Sequence, residues 1–183
     1  MILPTLNKLS KAKVVIISHQ SRPGKKDFIS THAHARELQG MIGRPVKWVD
    51  DIHGSTALKA IEIMKDGDIL LLNNVRMDSE EVNLQGDFAT LSDSTLVQRL
   101  AGVADAFVYD AFACSHRATP STIGFTHLLP CISGELMRSE IGILEGIIEN
   151  PKRPCIAVLG GIKVDDSIGV ADNMLRKGVC DKI

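Results

Sequence analysis

The sequence has few cysteines, and their spacing argues against two common uses of that residue. Cys114, Cys131, Cys155 and Cys180 form no CxxC pair and have no histidine partners at zinc-binding intervals. This spacing favours neither a zinc site nor a disulfide framework. We therefore expect no bound metal, reduced thiols and a cytoplasmic location.

A strong net charge and a long apolar run are also missing. The chain of 183 residues has a formal net charge of -1, whereas nucleic-acid-binding domains are usually basic. Residues 1–13 lack the apolar core of a signal peptide, and no other run is long enough to span a membrane. We expect neither nucleic acid nor membrane as a partner.

With 44% hydrophobic residues, the simplest expectation for a chain of this length is one domain with a sizeable core.

What the sequence does contain is an alternation of apolar strands and amphipathic helices. Continuous apolar runs predict buried parallel strands over residues 14–17, 46–49, 69–72, 106–109 and 155–159. Helical spacing and helix-ending residues predict helices over residues 2–9, 32–41, 55–65, 92–101, 135–149 and 166–177. Ser55 is the predicted cap of its helix, and residues 77–88 are predicted to be an exposed loop. The alternation predicts a three-layer α/β/α fold with an open parallel, Rossmann-like sheet.

Three of these strands are each followed closely by an arginine. Arg22, preceded by His19, follows the first strand, Arg76 follows the third, and Arg117, preceded by His116, follows the fourth. Ligands of an open parallel sheet bind outside the carboxyl ends of its strands, so these arginines are expected to converge. Because guanidinium groups bind phosphate and carboxylate groups in a bidentate manner, the sequence predicts an oxyanion site.

Simpler interpretations remain open for these arginines. Arg22 also fits an ordinary surface loop, with its neighbouring lysines as solvated charges. Arg76 also fits a structural ion pair with Glu80 or Glu81.

Two further segments carry reactive or phosphate-binding groups. Cys114 and His116 would supply a thiol and a base, but residues two apart in a loop rarely align for proton transfer. Gly160 and Gly161 would let the backbone approach a phosphate closely, and Lys163 would meet its charge. The segment lacks the spacing of a Walker A loop.

Taken together, these segments resemble the phosphoglycerate kinase family over nearly the whole chain. The family's His-x-Gly-Arg-Pro segment resembles residues 19–23, and its strand ending in Asn-x-Arg resembles residues 74–76. Its Asp-Ala-Phe segment running to His-Arg-Ala is similar to residues 110–118. Residues 149–154 and 159–164 resemble the passage from the family's N-terminal domain into its nucleotide domain.

The resemblance implies a reaction and a set of site residues. The reaction is phosphoryl transfer between ATP and 3-phosphoglycerate, with magnesium, giving 1,3-bisphosphoglycerate and ADP. The implied 3-phosphoglycerate site comprises His19, Gln20, Ser21, Arg22, Arg76 and Arg117. The implied phosphate and nucleotide side comprises Gly160, Gly161 and Lys163, with Lys163 catalytic. A fixed cationic patch suits this chemistry, which depends on positioning and charge neutralisation.

The resemblance also implies boundaries and partners. Residues 1–150 correspond to the acceptor-binding N-terminal domain, and residues 151–183 to the interdomain segment and the start of the nucleotide domain. Mg-ATP or Mg-ADP would bind the whole enzyme, with no tight binding expected to this chain. The remainder of the same polypeptide is the implied partner.

Departures from the family pattern qualify these expectations. Gln20 and Ser21 replace the family's usual leucine and glycine, and Ser167 replaces a lysine of many bacterial and eukaryotic members. The Asp-Asp-Ser variant at residues 165–167 is more similar to the archaeal branch.

Larger departures lie at the ends of the chain. It starts inside the family's first helix, so the family's first strand and catalytic arginine have no counterpart, and a central gap in the sheet is expected. We expect little or no catalysis by this chain alone. The alternative from the sequence is a non-catalytic α/β module that binds an anionic metabolite or a protein.

Overall fold

The computed structural model describes residues 2–160 and 164–183, without the side chains of residues 164–167. These residues form two compact units, Met1–Met137 and Arg138–Ile183. The contacts divide the chain after Met137. This division does not test the predicted domain boundary at residue 150, which stays a prediction.

Parallel strands form the centre of the first unit, as predicted. Strands β1 (Val14–Ile16), β2 (Val46–Trp48) and β3 (Ile69–Leu71) make a parallel sheet in the order β1-β3-β2. In this sheet Val14 and Val46 both pair with Ile69. Strand β3 is buried along its length, because its four-residue aliphatic run has a strand on each side and packing on both faces.

A second parallel pair consists of β4 (Phe107–Tyr109) and β5 (Cys131–Ser133). The sequence patterns missed β5, since its three residues follow a long segment without periodicity. Among the described residues, β1 and β4 each pair with a strand on one side only. The parallel α/β fold is confirmed, with its strands divided between two sheets.

Most of the α-helices are short. Their bounds are α1 Leu3–Lys8, α2 His32–Ile42, α3 Ser55–Glu62, α4 Ser79–Asn83, α5 Phe88–Ser92, α6 Thr95–Ala101, α7 Pro120–Ile123, α8 Glu135–Glu149 and α9 Val164–Arg176. Three-residue 3-10 helices lie at Val75–Met77 and Phe112–Cys114, and a four-residue one lies at Gly124–His127. No helix in the described part of the chain is both long and apolar enough to cross a membrane.

Alternate residues of β3 divide the core of the first unit into two layers. Leu70 packs in a cluster with buried residues of α6, including Leu96 and Val97. Ile69 and Leu71 belong to a second cluster that includes Ala35 of α2. This two-residue period places one helical layer against each face of the sheet, which is the predicted three-layer arrangement.

Three local predictions were wrong. Residues 77–88 contain α4 and the start of α5 rather than an exposed loop, because Asp78 caps α4 by accepting from the N–H groups of Glu80 and Glu81. Gly54, not Ser55, is the N-cap of α3, and the Asp51 carboxylate accepts from Gly54 N at 3.0 Å and Ala57 N at 2.9 Å.

The third wrong prediction is the strand over residues 155–159. This segment forms an isolated parallel bridge between Ile156 and Lys182, within the second unit. Its apolar character predicted a buried strand, but Val158 is 92% exposed. An apolar run forms a strand only where a neighbouring strand pairs with it. Among the described residues, this run has one bridge, to Lys182.

Candidate functional site

Asn74 joins the loops that follow β1 and β3. It is fully buried, and its Oδ1 accepts from Gln20 N at 3.0 Å and from Arg76 N at 3.2 Å. Its Nδ2 donates to Gln20 O at 2.8 Å and to Ile29 O at 3.0 Å. Every hydrogen-bonding group of this amide is therefore used, and the two loops are held as one structure.

Asn73 forms a similar link to the start of α2. Its Oδ1 accepts from Thr31 N at 3.2 Å, and its Nδ2 donates to Asp50 Oδ1 at 2.7 Å. Thr31 Oγ1 in turn donates to Leu72 O at 2.7 Å. Neither asparagine was predicted to have this role, although two consecutive asparagines after a buried strand are the kind of sequence signal that marks such links.

His19 lies in a cluster of side chains from three different segments. Its Nε2 is 2.7 Å from Glu81 Oε1 of α4 and 3.0 Å from Ser121 Oγ of α7. Its Nδ1 is 3.7 Å from Cys114 Sγ, which follows β4. The structure thus brings the regions after β1, β3 and β4 together around one imidazole.

Arg76 extends from the region after β3 toward the loop after β1. Its Nη1 donates to the backbone carbonyl of Ser21. The carboxylates that the alternative interpretation assigned to it have other partners: Glu80 Oε2 accepts from Thr95 N at 2.7 Å, and Glu81 binds His19 and Ser121.

An open groove lies beside the Arg76 guanidinium. It has a volume of about 360 Å³ and is lined by apolar and polar side chains, among them Pro23, Phe28, Met77 and Asn83. The structure therefore leaves space next to a cation that is not engaged by Glu80 or Glu81.

The loop after β1 is shaped by Ser21, which has a left-handed backbone with φ of 58°. Its Oγ donates to Asp27 Oδ1 at 2.6 Å, and Gln20 Nε2 donates to Asp27 O at 3.1 Å. A left-handed residue explains why glycine suits this position in the family pattern, and the Asp27 bond supports serine there. Arg22, the next residue, is exposed.

Arg117 is half-buried in the loop after β4. Its backbone carbonyl accepts from Thr122 Oγ1 at 2.8 Å, and Thr122 also takes part in the capping box of α7 with Thr119. Its Nε is 3.4 Å from His116 Nε2. The start of α7 therefore fixes the chain at Arg117.

The thiol of Cys114 does not contact His116, which was its candidate base. It faces His19 Nδ1 instead. Burial raises the pKa of Cys114, and the negative charge of Glu81 raises it further. Because the nucleophilic form of cysteine is the thiolate, these surroundings disfavour covalent catalysis by Cys114.

Of the predicted phosphate and nucleotide residues, Gly160 lies in the second unit. Gly160 is exposed, and a Cβ built on it would meet nothing within 4 Å. Gly161 and Lys163 lie outside the described residues. Across the described ranges, no group of three or more His, Cys, Asp or Glu side chains could hold a metal ion.

Parallel strands with a helical layer against each face define a protein of the parallel α/β class. The phosphoglycerate kinase family model matches residues 1–183. The chain belongs to the phosphoglycerate kinase family.

Archaeal relatives cover nearly the whole chain. The phosphoglycerate kinase of Methanothermobacter thermautotrophicus is 48% identical over 181 residues, which are 98% of this chain and 44% of that protein. The phosphoglycerate kinase of Thermococcus kodakarensis is 44% identical over 184 residues, covering 100% of this chain and 44% of the relative. The chain therefore spans less than half the length of these curated relatives.

Solved structures show the same fold. The crystal structure of phosphoglycerate kinase from Pyrococcus horikoshii has a TM-score of 0.94 at 39% identity, covering 98% of this chain and 45% of that one. Phosphoglycerate kinase from Coxiella burnetii has a TM-score of 0.74 at 33% identity, covering 96% and 43%.

Proposed function

We propose that this chain provides the 3-phosphoglycerate-binding half of a phosphoglycerate kinase. The observation that carries the proposal is the meeting of three strand-end segments around His19, with Arg22, Arg76 and Arg117 on those same segments. The phosphate and carboxylate of 3-phosphoglycerate are the oxyanions that such cations bind. Membership of the family supports this substrate over other anions.

In this proposal the chain binds and orients the acceptor. Arg22, Arg76 and Arg117 hold its anionic groups, while Gln20 and Ser21 form the loop that supports them. The buried amide of Asn74 keeps the loops in place before the substrate arrives. Binding of the substrate therefore has to order few further residues of these loops.

The proposed reaction is transfer of a phosphoryl group between ATP and the carboxylate of 3-phosphoglycerate. Mg-ATP or Mg-ADP would supply or accept that group. Gly160, Gly161 and Lys163 are the residues of this chain proposed to face it, with Lys163 catalytic, and the open space beside Gly160 suits close approach of a phosphate. The remainder of a longer polypeptide would hold the nucleotide, and we place the protein in the cytoplasm.

The test is titration of 3-phosphoglycerate into the chain and two variants. Arg76→Ala and Arg117→Ala each remove a charged donor, so each is expected to weaken binding about tenfold or more, as for hydrogen bonds to charged groups. Arg36→Ala is the matched control, since this α2 side chain is 82% exposed. Isothermal titration calorimetry gives the dissociation constants, with phosphoglycerate kinase turnover measured alongside and expected to be absent.

Two results would contradict the proposal. Unchanged binding in both arginine variants would remove the site assignment. Turnover by these 183 residues would instead overturn the expectation that the acceptor half is inactive alone.

A further inference from the structure

Glu81 is a buried carboxylate to which the acceptor-binding proposal gives no role. Its side chain is 1% exposed and lies on α4 beside His19. Burying a carboxylate costs several kcal/mol unless hydrogen bonds and a cation compensate it. Packing alone therefore does not explain a glutamate at position 81.

The hydrogen bonds around an ionised Glu81 indicate which nitrogen of His19 carries a proton. Ser121 donates twice to this carboxylate, from its backbone N at 2.8 Å and from its Oγ at 2.7 Å. Since the Ser121 hydroxyl hydrogen is used on Glu81, its Oγ can only accept from His19 Nε2. Both neighbours of Nε2 are acceptors, so Nε2 carries a hydrogen.

The other ring nitrogen, Nδ1, has a weaker partner. It contacts Cys114 Sγ at 3.7 Å, and a thiol makes only a weak hydrogen bond. Glu81 and Cys114 are the titratable groups that contact the ring among the described residues. An oxyanion at Nδ1 needs a donor there, and with Nε2 already protonated the ring can supply one only as imidazolium.

We propose that Glu81 is a positioning residue that holds Nε2 of His19 as a donor, so that binding of 3-phosphoglycerate at Nδ1 takes up one proton when the ligand-free ring is neutral. This inference rests on the proposed function, because the oxyanion at His19 is the acceptor substrate. The carboxylate, imidazolium and substrate then form a row of alternating charge, which strengthens each hydrogen bond in it.

The variant Glu81→Gln reverses the proton arrangement while keeping the shape of the side chain. The glutamine carbonyl must face the Ser121 backbone N–H, which leaves its NH₂ group toward His19 Nε2. Nε2 then has to accept, so Nδ1 carries the hydrogen on a neutral ring. This ring still donates to an oxyanion but takes up no proton.

Proton uptake is measured by calorimetric titration of 3-phosphoglycerate in two buffers of different ionisation enthalpy, at a pH at which imidazole NMR of the ligand-free chain shows a single ring proton on His19. We expect about one proton taken up by the parent chain and by Glu81→Asp, and none by Glu81→Gln, with about tenfold weaker binding. Glu80→Gln is the matched control on the same helix, since its carboxylate accepts from Thr95 N. Equal uptake in the parent and Glu81→Gln would overturn the proposal.

A ligand-free measurement keeps this inference separate from the proposed function. Long-range ¹H–¹⁵N NMR of the imidazole rings, with His19 assigned through a His19→Gln variant, reports which nitrogen is protonated. We expect a protonated Nε2 in the parent chain and a change to Nδ1 in Glu81→Gln. An Nδ1 proton with a bare Nε2 in the parent chain would refute the role of Glu81 even if binding occurs. If 3-phosphoglycerate does not bind, the proposed function fails and the ring measurement still decides the role.

Discussion

A single buried amide, that of Asn74, organises the candidate site at the residue scale. Its four hydrogen bonds link the backbone of the loop after β1 to the segment after β3. The same geometry could not be made by aspartate, because a carboxylate has no donor for the carbonyl oxygens of Gln20 and Ile29. This one side chain therefore helps to hold the loops that carry Arg22 and Arg76 together.

The variant Asn74→Asp is expected to lower the free energy of unfolding by about 2–4 kcal/mol, because it buries a charge against two carbonyl oxygens. Urea unfolding followed by fluorescence of Trp48, the one tryptophan of the chain, measures the loss. Asn7→Asp, the same change at an exposed position, is expected to have little effect. Equal stability of Asn74→Asp and the parent chain would contradict the role of the amide.

At the element scale, the short helices depend on aspartates that accept from their first N–H groups. Asp78 does this for α4, and its Oδ2 is 2.7 Å from His53 Nε2. Asp51 does it for α3. Burial raises the pKa of Asp51, but hydrogen bonds from the backbone N–H groups of Ala57 and Gly54 outweigh that effect, and its pKa lies below the ordinary 3.8.

A lowered pKa makes the contribution of Asp51 depend on pH. At pH values above the ordinary pKa of 3.8, the ionised Asp51 carboxylate stabilises α3. This stabilisation is lost as the pH falls through the lower pKa of the folded state. Asp51→Asn is expected to be less stable than the parent by about 1 kcal/mol at pH 7, with the difference narrowing below about pH 5.

Thermal unfolding of both proteins between pH 7 and pH 3 measures that difference. Asp66→Asn, at an exposed position, is the control for a general effect of removing one carboxylate. A difference that stays constant down to pH 3 would contradict the role of the ionised carboxylate at the start of α3.

At the scale of the whole molecule, distant segments of the first unit meet at Asp110. Thr5 Oγ1 donates to Asp110 Oδ2 at 2.6 Å, and Met137 N donates to Asp110 Oδ1 at 3.0 Å. Thr5 Oγ1 also accepts from Glu135 N at 2.9 Å. This small network ties α1, the end of β4 and the start of α8 together, and Gly134 leaves the space that it needs.

The variant Gly134→Ala tests this junction. A Cβ at residue 134 would overlap the side chain of Asp110, so we expect a loss of about 1–3 kcal/mol in the free energy of unfolding. Gly40→Ala is the matched control, because a Cβ there would meet nothing within 4 Å in helix α2. That change is expected to add about 0.5–1 kcal/mol. Trp48 fluorescence in urea measures both, and a Gly134→Ala protein as stable as its parent would contradict the tight packing.

The sequence by itself determined the parts of this protein that depend on local pattern. Aliphatic runs such as residues 69–72 predicted the buried strands, and helical spacing predicted α2 and α8. Both signals depend only on residues close together in the sequence. The motifs around Arg22, Arg76 and Arg117 predicted the family. Their role in binding 3-phosphoglycerate stays a prediction.

Only the tertiary structure decided which distant groups meet. The pairing of Glu81 with His19, the link from Asn74 to Gln20 and the strand β5 all depend on residues far apart in the chain. The apolar run at 155–159 shows the converse, since its pattern predicted a strand that its surroundings do not provide. The local pattern determines which element a segment can form. Its burial and strand pairing depend on residues distant in the sequence, which the local pattern does not predict.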